Sequence, residues 1–518
     1  MKLRQTWFLF LMLNTFFAFA NNVQVSNVRL TGQNTTDDFT MVEFDITWEN
    51  SWRYANGPSN WDAAWIFIKY RVGAGGLWQH AWLNNTGHTV CGNATISNGF
   101  LSPQLPFNSN TNPSLGAFLY RSTSGSGIFS CQNVQLRWNY GSNTVSDDAQ
   151  VDIKVFAIEM VYIPQGNFYV GSGGTELGAF YTYPASSTPY QINTEAAITV
   201  GAQAGDLYYN DESGHSGDQS GPIPAAYPKG YAAFYAMKYE LSQHAYVDFL
   251  NTLTRTQQIN RVRADITVTN PPNVFVMANF TSPQGRNGIR CRSLIPAAPG
   301  RVEFFCDLNN NGIPNESADG LCVPCNYMNY GDLASYLDWA GLRLMSEFEF
   351  EKCGRGPSFP VVNEFAWGSQ MIYLELGIQN IGQSTEIPTE SIANSAYLNF
   401  PVRVGSFART ESNRENAGAG YYGCMELSGN LFELAVSVGI SQGRAYTGTH
   451  GNGLISTNGD ADVANWPLLV LPFGFAYRGG TGAFLETVNR RLSHREFAAL
   501  LEYFASQQQG GRGVRTAQ

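Results

Sequence analysis

Tyr422-Gly423-Cys424-Met425-Glu426-Leu427-Ser428-Gly429-Asn430-Leu431-Phe432-Glu433-Leu434 is followed downstream by Tyr477-Arg478-Gly479-Gly480 and by Gly513-Val514-Arg515. Glycines recur in all three segments, where they supply turns that need φ > 0. Aromatic and aliphatic residues between them are the material from which a loop-rich domain builds its core. No cysteine lies after Cys424, and that limits the chemistry these segments can perform.

The rest of the chain fits a loop-rich globular protein. Its 518 residues suffice for two or three hydrophobic cores, because a single core stops growing near ~250–300 residues. Composition is 43% hydrophobic and only 14% charged, with 53 Gly, 26 Tyr, 33 Phe and 11 Trp, which excludes a disordered chain and implies an uncharged polar surface.

Residues 1–20 read as a secretory leader, with basic Lys2 and Arg4, an apolar run from Trp7 to Leu13 and the cleavage site Ala18-Phe19-Ala20. Asn14 and Thr15 interrupt the run before it reaches the ~20 residues a bilayer span needs, and no later stretch is long and apolar enough. The mature chain is therefore expected to be exported, to the periplasm, the cell surface or the exterior. Loss of Lys2 and Arg4 takes the net charge from −10 to −12. Nucleic acid is excluded as a partner, because phosphate binding relies on clustered Lys and Arg.

Eight cysteines in an exported chain point to disulfides. Cys91 and Cys131 stand alone in the N-terminal third and are expected to pair. Cys306, Cys322 and Cys325 are further candidates, although the connectivity among these, Cys291, Cys353 and Cys424 stays open. Cys322-Val323-Pro324-Cys325 has the spacing of a redox motif or half a zinc site, but in an oxidising compartment a structural disulfide is the stronger reading.

From 21 to 156 the chain is a series of short runs such as Met41 to Trp48, Ala64 to Tyr70 and Val151 to Phe156. They largely alternate with period two, one face toward a core and the other toward solvent. An all-β, immunoglobulin-like sandwich follows. From 157 to 518 the pattern changes. Ser242 is placed to cap a helix carrying Tyr246, Phe249 and Leu250, and Gly331 to Ala340 carries Leu333, Tyr336, Leu337 and Ala340 at helical spacing. A Cys- and Asn-rich insertion occupies about 285–326. The fold class is α+β.

Met160 to Ser172, Phe234 to Ser242, Tyr336 to Glu351, Trp367-Gly368, Asn394, Gly429 to Glu433, Arg478-Gly479-Gly480 and Gly513-Val514-Arg515 occur in that order over some 350 residues. Taken together they resemble the formylglycine-generating enzyme, or sulfatase-modifying factor, family. The resemblance implies a variant of the C-type-lectin-like fold, with little regular structure and long loops.

It also implies an oxidase that converts a sulfatase cysteine to formylglycine with copper(I) on two cysteines. Those positions fall near Phe484 and Asn489 here, and neither can replace the soft thiolate that copper(I) takes. Copper is not expected, and no catalytic residue is assigned. An oxidase with a rearranged site is the alternative reading. The family's calcium loop maps onto the side chains of Glu426 and Glu433 and the carbonyls of Gly429 and Leu431, and a second site onto Asn394 and the Ser395 carbonyl. These are the hard oxygen donors calcium takes.

Three other clusters are read from the residues. Asp307, Asn309 and Asn311, followed by Gly312, copy the first half of an EF-hand-like loop, although position twelve is Ala318. Ser493-His494 with Arg490, Arg491 and Arg495 reads as a solvated basic strand rather than a nucleophile and base, because adjacent strand residues face opposite sides. His215 with Asp211 and Glu212 is a low-specificity metal cluster. The expected function is noncatalytic binding of a protein or glycan at the cell surface.

Overall fold

The computed structural model describes residues 23–100, 114–267, 274–293, 302–409, 412–471, 473–483, 487–500 and 505–517. The expected leader and Phe484 lie outside them. The N-terminal region is built on the strands β1 (Gln24–Asn34), β2 (Phe39–Arg53), β3 (Asp62–Val72), β4 (Ala94–Phe100), β5 (Ser114–Arg121), β6 (Gly125–Trp138) and β7 (Val151–Ile163), with a two-residue strand, Gln79–His80, paired beside β3. The sheet β1-β2-β6 is antiparallel. Val42, Phe44, Ile46 and Trp48 of β2 alternate inward from it, as the period-two pattern predicts, and join Val134, Leu136 and Trp138 in one core. Cys91 and Cys131 are disulfide-bonded, as expected.

The opposing sheet does not end with the N-terminal region. Its order is β9-β12-β8-β7-β3-β5-β4, where β8 is Phe234–Met237, β9 is Arg343–Leu344 and β12 is Gly513–Thr516. Strand β7 is the joint, pairing along 151–161 with β3 and along 160–163 with β8. The expected boundary between 156 and 157 falls inside this unbroken strand. Gly513-Val514-Arg515, read from the end of the sequence, is a central strand of that sheet.

Strand β3 departs from the half-solvated reading. Ala64, Ile66, Ile68 and Tyr70 face the sandwich core, while Ala63, Trp65 and Phe67 face the main core of the C-terminal region. The physical cause is helix α2 (Tyr330–Trp339), which covers the face expected to meet water. The Trp65 indole N–H donates to the Ala340 carbonyl (2.8 Å), and Lys69 donates to the Trp339 (2.8 Å) and Gly453 (2.5 Å) carbonyls. A strand buried on both faces reads as a continuous apolar run, which Ala63 to Ile68 is.

The two helices read from capping and spacing form where expected. Helix α1 (Gln243–Leu250) starts at Ser242, whose side chain accepts from the Ala245 N–H. Capping boxes start α2 at Asn329 with Asp332, and α3 (Glu347–Arg355) at Ser346 with Glu349. Among the described residues, no helix is long and apolar enough to cross a membrane.

Candidate functional site

The Arg-Gly-Gly signature is built on α3. Strand β10 (Phe432–Val436) pairs with β11 (Phe475–Arg478), and α3 lies against both. Glu347 and Glu351, one turn apart on α3, are fully buried and need partners there. Arg478 donates to Glu351 (2.9 Å), to Glu347 (3.3 Å) and to the Leu492 carbonyl (2.8 Å). Arg495 grips Glu347 through two bonds of 3.1 Å. Ser493 donates to Glu351 (3.0 Å) and accepts from Arg355 (2.7 Å).

The predicted solvated strand at 490–495 is therefore corrected. It is an irregular, largely buried segment in which Arg495 neutralises Glu347 of α3 and Ser493 donates to Glu351. Burial, with Arg478 and Arg491 nearby, pushes the His494 pKa down to about 3, which leaves it a poor base. At the other low-specificity cluster, Asp211 accepts from the Ser216 N–H (2.6 Å).

The residues expected to bind calcium are brought together, but Glu433 and Asp307 each meet an arginine. Glu433 is fully buried and both its oxygens accept from Arg512, each at 2.6 Å. Arg512 also donates to the carbonyls of Met425 (2.6 Å), Met237 (3.1 Å) and Lys238 (3.1 Å), so its five N–H groups make five hydrogen bonds. Burial opposes the Arg512 charge, and Glu433 more than offsets that, holding its pKa above the usual arginine value. Glu240 enters the same loop and accepts from the Leu431 N–H (3.0 Å) and the Asn430 amide (2.6 Å).

Glu426, at φ +60°, accepts from the Gly405 N–H (2.6 Å) through one oxygen, while the other is buried with no hydrogen-bond partner. Burial pushes its carboxyl up to about 7 against the opposing charge of Arg512. At the second place, Asn394 Oδ1 accepts from the Tyr373 N–H (2.9 Å), and Arg490 donates to Ser395 Oγ and the Ala396 carbonyl, both at 3.0 Å. In the third loop, Arg290 pairs with Asp307, whose Oδ1 also accepts from the Asn311 N–H (3.0 Å). Asn309 and Asn311 spend their side-chain oxygens on the N–H groups of Asn311 and Ile313. As they stand, these donors do not fit calcium, because the carboxylates of Glu433 and Asp307 already carry a guanidinium.

Copper ligation fares no better on the described residues. Asn489 is half-buried in a short 3-10 turn (Val488–Arg490) and offers no sulfur. Cys306, Cys322 and Cys325, expected as disulfide partners, carry free thiols. They belong to different packing groups: Cys306 and Cys325 lie in the main core, whereas Cys322 packs beside Tyr239 and Val404. Burial pushes all three thiols above their ordinary pKa, away from the thiolate form a soft metal takes.

Composition and spacing gave no sign of a cleft of about 740 Å³ between β1, β7, α1 and the 315–322 loop. Phe156, Ile158, Ala245 and Leu321 are half-exposed along its walls, and Phe67, Tyr336 and Trp339 lie deeper. His244, Asp248 and Glu316 supply polar groups, and His244 and Asp248 face each other at 4.0 Å. The indole N–H of Trp339 is buried with no hydrogen-bond partner. The cleft needs both halves of the chain, so no local motif could announce it.

Residues 147–455 match the family model described as a sulfatase-modifying factor enzyme 1-like domain. The curated proteins compared with the chain yield no match. The matched span runs from just before β7 through α3 and the Gly429 to Glu433 turn to residue 455, and so includes the elements that carry the buried carboxylates Glu347, Glu351 and Glu433. The chain therefore belongs to the sulfatase-modifying factor family, with its family domain joined edge to edge to an N-terminal β region.

Proposed function

We propose that this protein is an exported, noncatalytic member of its family that binds a cell-surface glycan in the cleft between its two β regions. The observation that carries the noncatalytic reading is chemical. Where the family resemblance puts two copper-binding thiolates, the chain has Phe484 and Asn489, and residues 425–518 contain no cysteine at all.

The cleft supports the binding reading. Its volume falls within the range of sites for small organic ligands. Aromatic faces such as Phe156 suit the C–H faces of a sugar ring, while Asp248, Glu316 and His244 suit its hydroxyls. Two assays test the reading. A cysteine-containing sulfatase peptide incubated with the purified protein, copper(I) and oxygen should keep its thiol, as followed by mass spectrometry. A glycan array should give saturable binding that Phe156→Ala and Asp248→Asn weaken at least tenfold. Conversion of the peptide cysteine to an aldehyde would overturn the noncatalytic reading, and glycan binding unaffected by both variants would remove the cleft from it.

A further inference from the structure

We propose that buried arginines, above all Arg512, serve as the resident cations of the loops that would otherwise hold calcium. At the Glu433 loop the argument is one of charge and geometry. A buried carboxylate needs a cation, because leaving it unpaired in the interior is costly. Arg512 supplies that charge from the residue immediately before Gly513-Val514-Arg515, and its planar fork meets both Glu433 oxygens at 2.6 Å. Its other hydrogen bonds go to the carbonyls of Met237, Lys238 and Met425, so it gathers main-chain oxygens as a hard metal ion would.

The same substitution recurs. Arg290 sits on Asp307, the first position of the EF-hand-like loop. Two sequence-distant loops of calcium-like composition each receive a guanidinium on an expected ligand carboxylate. A guanidinium differs from calcium in one functional respect: it cannot be chelated or diluted away. The fold around Glu433 is thus independent of the calcium level outside the cell.

The test uses the full mature chain. After desalting, wild-type protein should melt at the same temperature, within about 1 °C, in calcium chloride and in EGTA. Arg512→Ala should melt several degrees lower in EGTA and recover part of that loss in calcium but not in magnesium, because the vacated Glu433 then has room for an ion. Should Arg512→Ala fail to fold, the comparison of wild type with Glu426→Gln decides the matter, since Glu426 ligates only in the calcium reading. A calcium-dependent rise in wild-type melting that Glu426→Gln abolishes, with one calcium lost from the purified protein, would overturn the proposal. A calcium effect equal in both proteins places the ion elsewhere and leaves Arg512 as the cation of this loop.

Discussion

Truncating Trp65 probes the joint between the two halves of the chain. Its side chain is fully buried, its ring centroid lies 4.9 Å from that of Phe118 and 4.4 Å from the Arg515 guanidinium, and its N–H satisfies the Ala340 carbonyl. Trp65→Ala removes an entire buried indole, which costs about 3–5 kcal/mol. It also leaves a buried carbonyl unpaired, adding about 1 kcal/mol or more. A loss near 5 kcal/mol is a large share of the ~5–15 kcal/mol that stabilises a typical domain.

Trp65→Phe keeps most of the packing and loses the hydrogen bond, so about 1–3 kcal/mol is expected. The assay is urea unfolding combined with hydrogen exchange, read separately on peptides from β2 and β6 and on peptides from α2. Because β3 is packed on both faces and β7 runs through both regions, both peptide sets should lose protection together in Trp65→Ala. Loss confined to the sandwich peptides with α2 unchanged, or equal costs for the Phe and Ala variants, would refute the argument that this strand ties the halves together.

Two further outcomes are expected. Cys131→Ser opens a cross-link between residues 40 apart, and chain-entropy reasoning gives a loss of about 4 kcal/mol, measurable as an earlier urea midpoint that reductant also produces in wild type. Glu426 has a folded pKa of about 7 against an ordinary 4.5, so the fold favours its protonated form. Its contribution is complete below about pH 4.5 and is lost as pH rises through about 7. That loss is worth about 3 kcal/mol. Glu426→Gln should flatten the fall in stability between those pH values, and an unchanged pH profile would show that Glu426 does not titrate there.

Much of this molecule was legible along the chain because its signals are local. The Ser242 cap, the alternation in β2 and the Cys91 and Cys131 pair each depend on residues close in sequence or left without another partner. Family membership was legible for a related reason, since glycines and buried charges at fixed order mark a backbone that few other residues allow.

The partners of those charges were not legible. Glu433 reads as a metal ligand until Arg512, 79 residues away, is placed on it, and the basic run at 490–495 reads as solvated until α3 brings Glu347 and Glu351 to it. The same holds for β3, whose second apolar face has meaning only once α2 covers it. The sequence by itself determined the family, the helices, the strand pattern and the absence of a thiolate pair after Cys424. Only the tertiary structure decided which cation each buried carboxylate meets and where the cleft opens, because both depend on groups that long-range packing brings together.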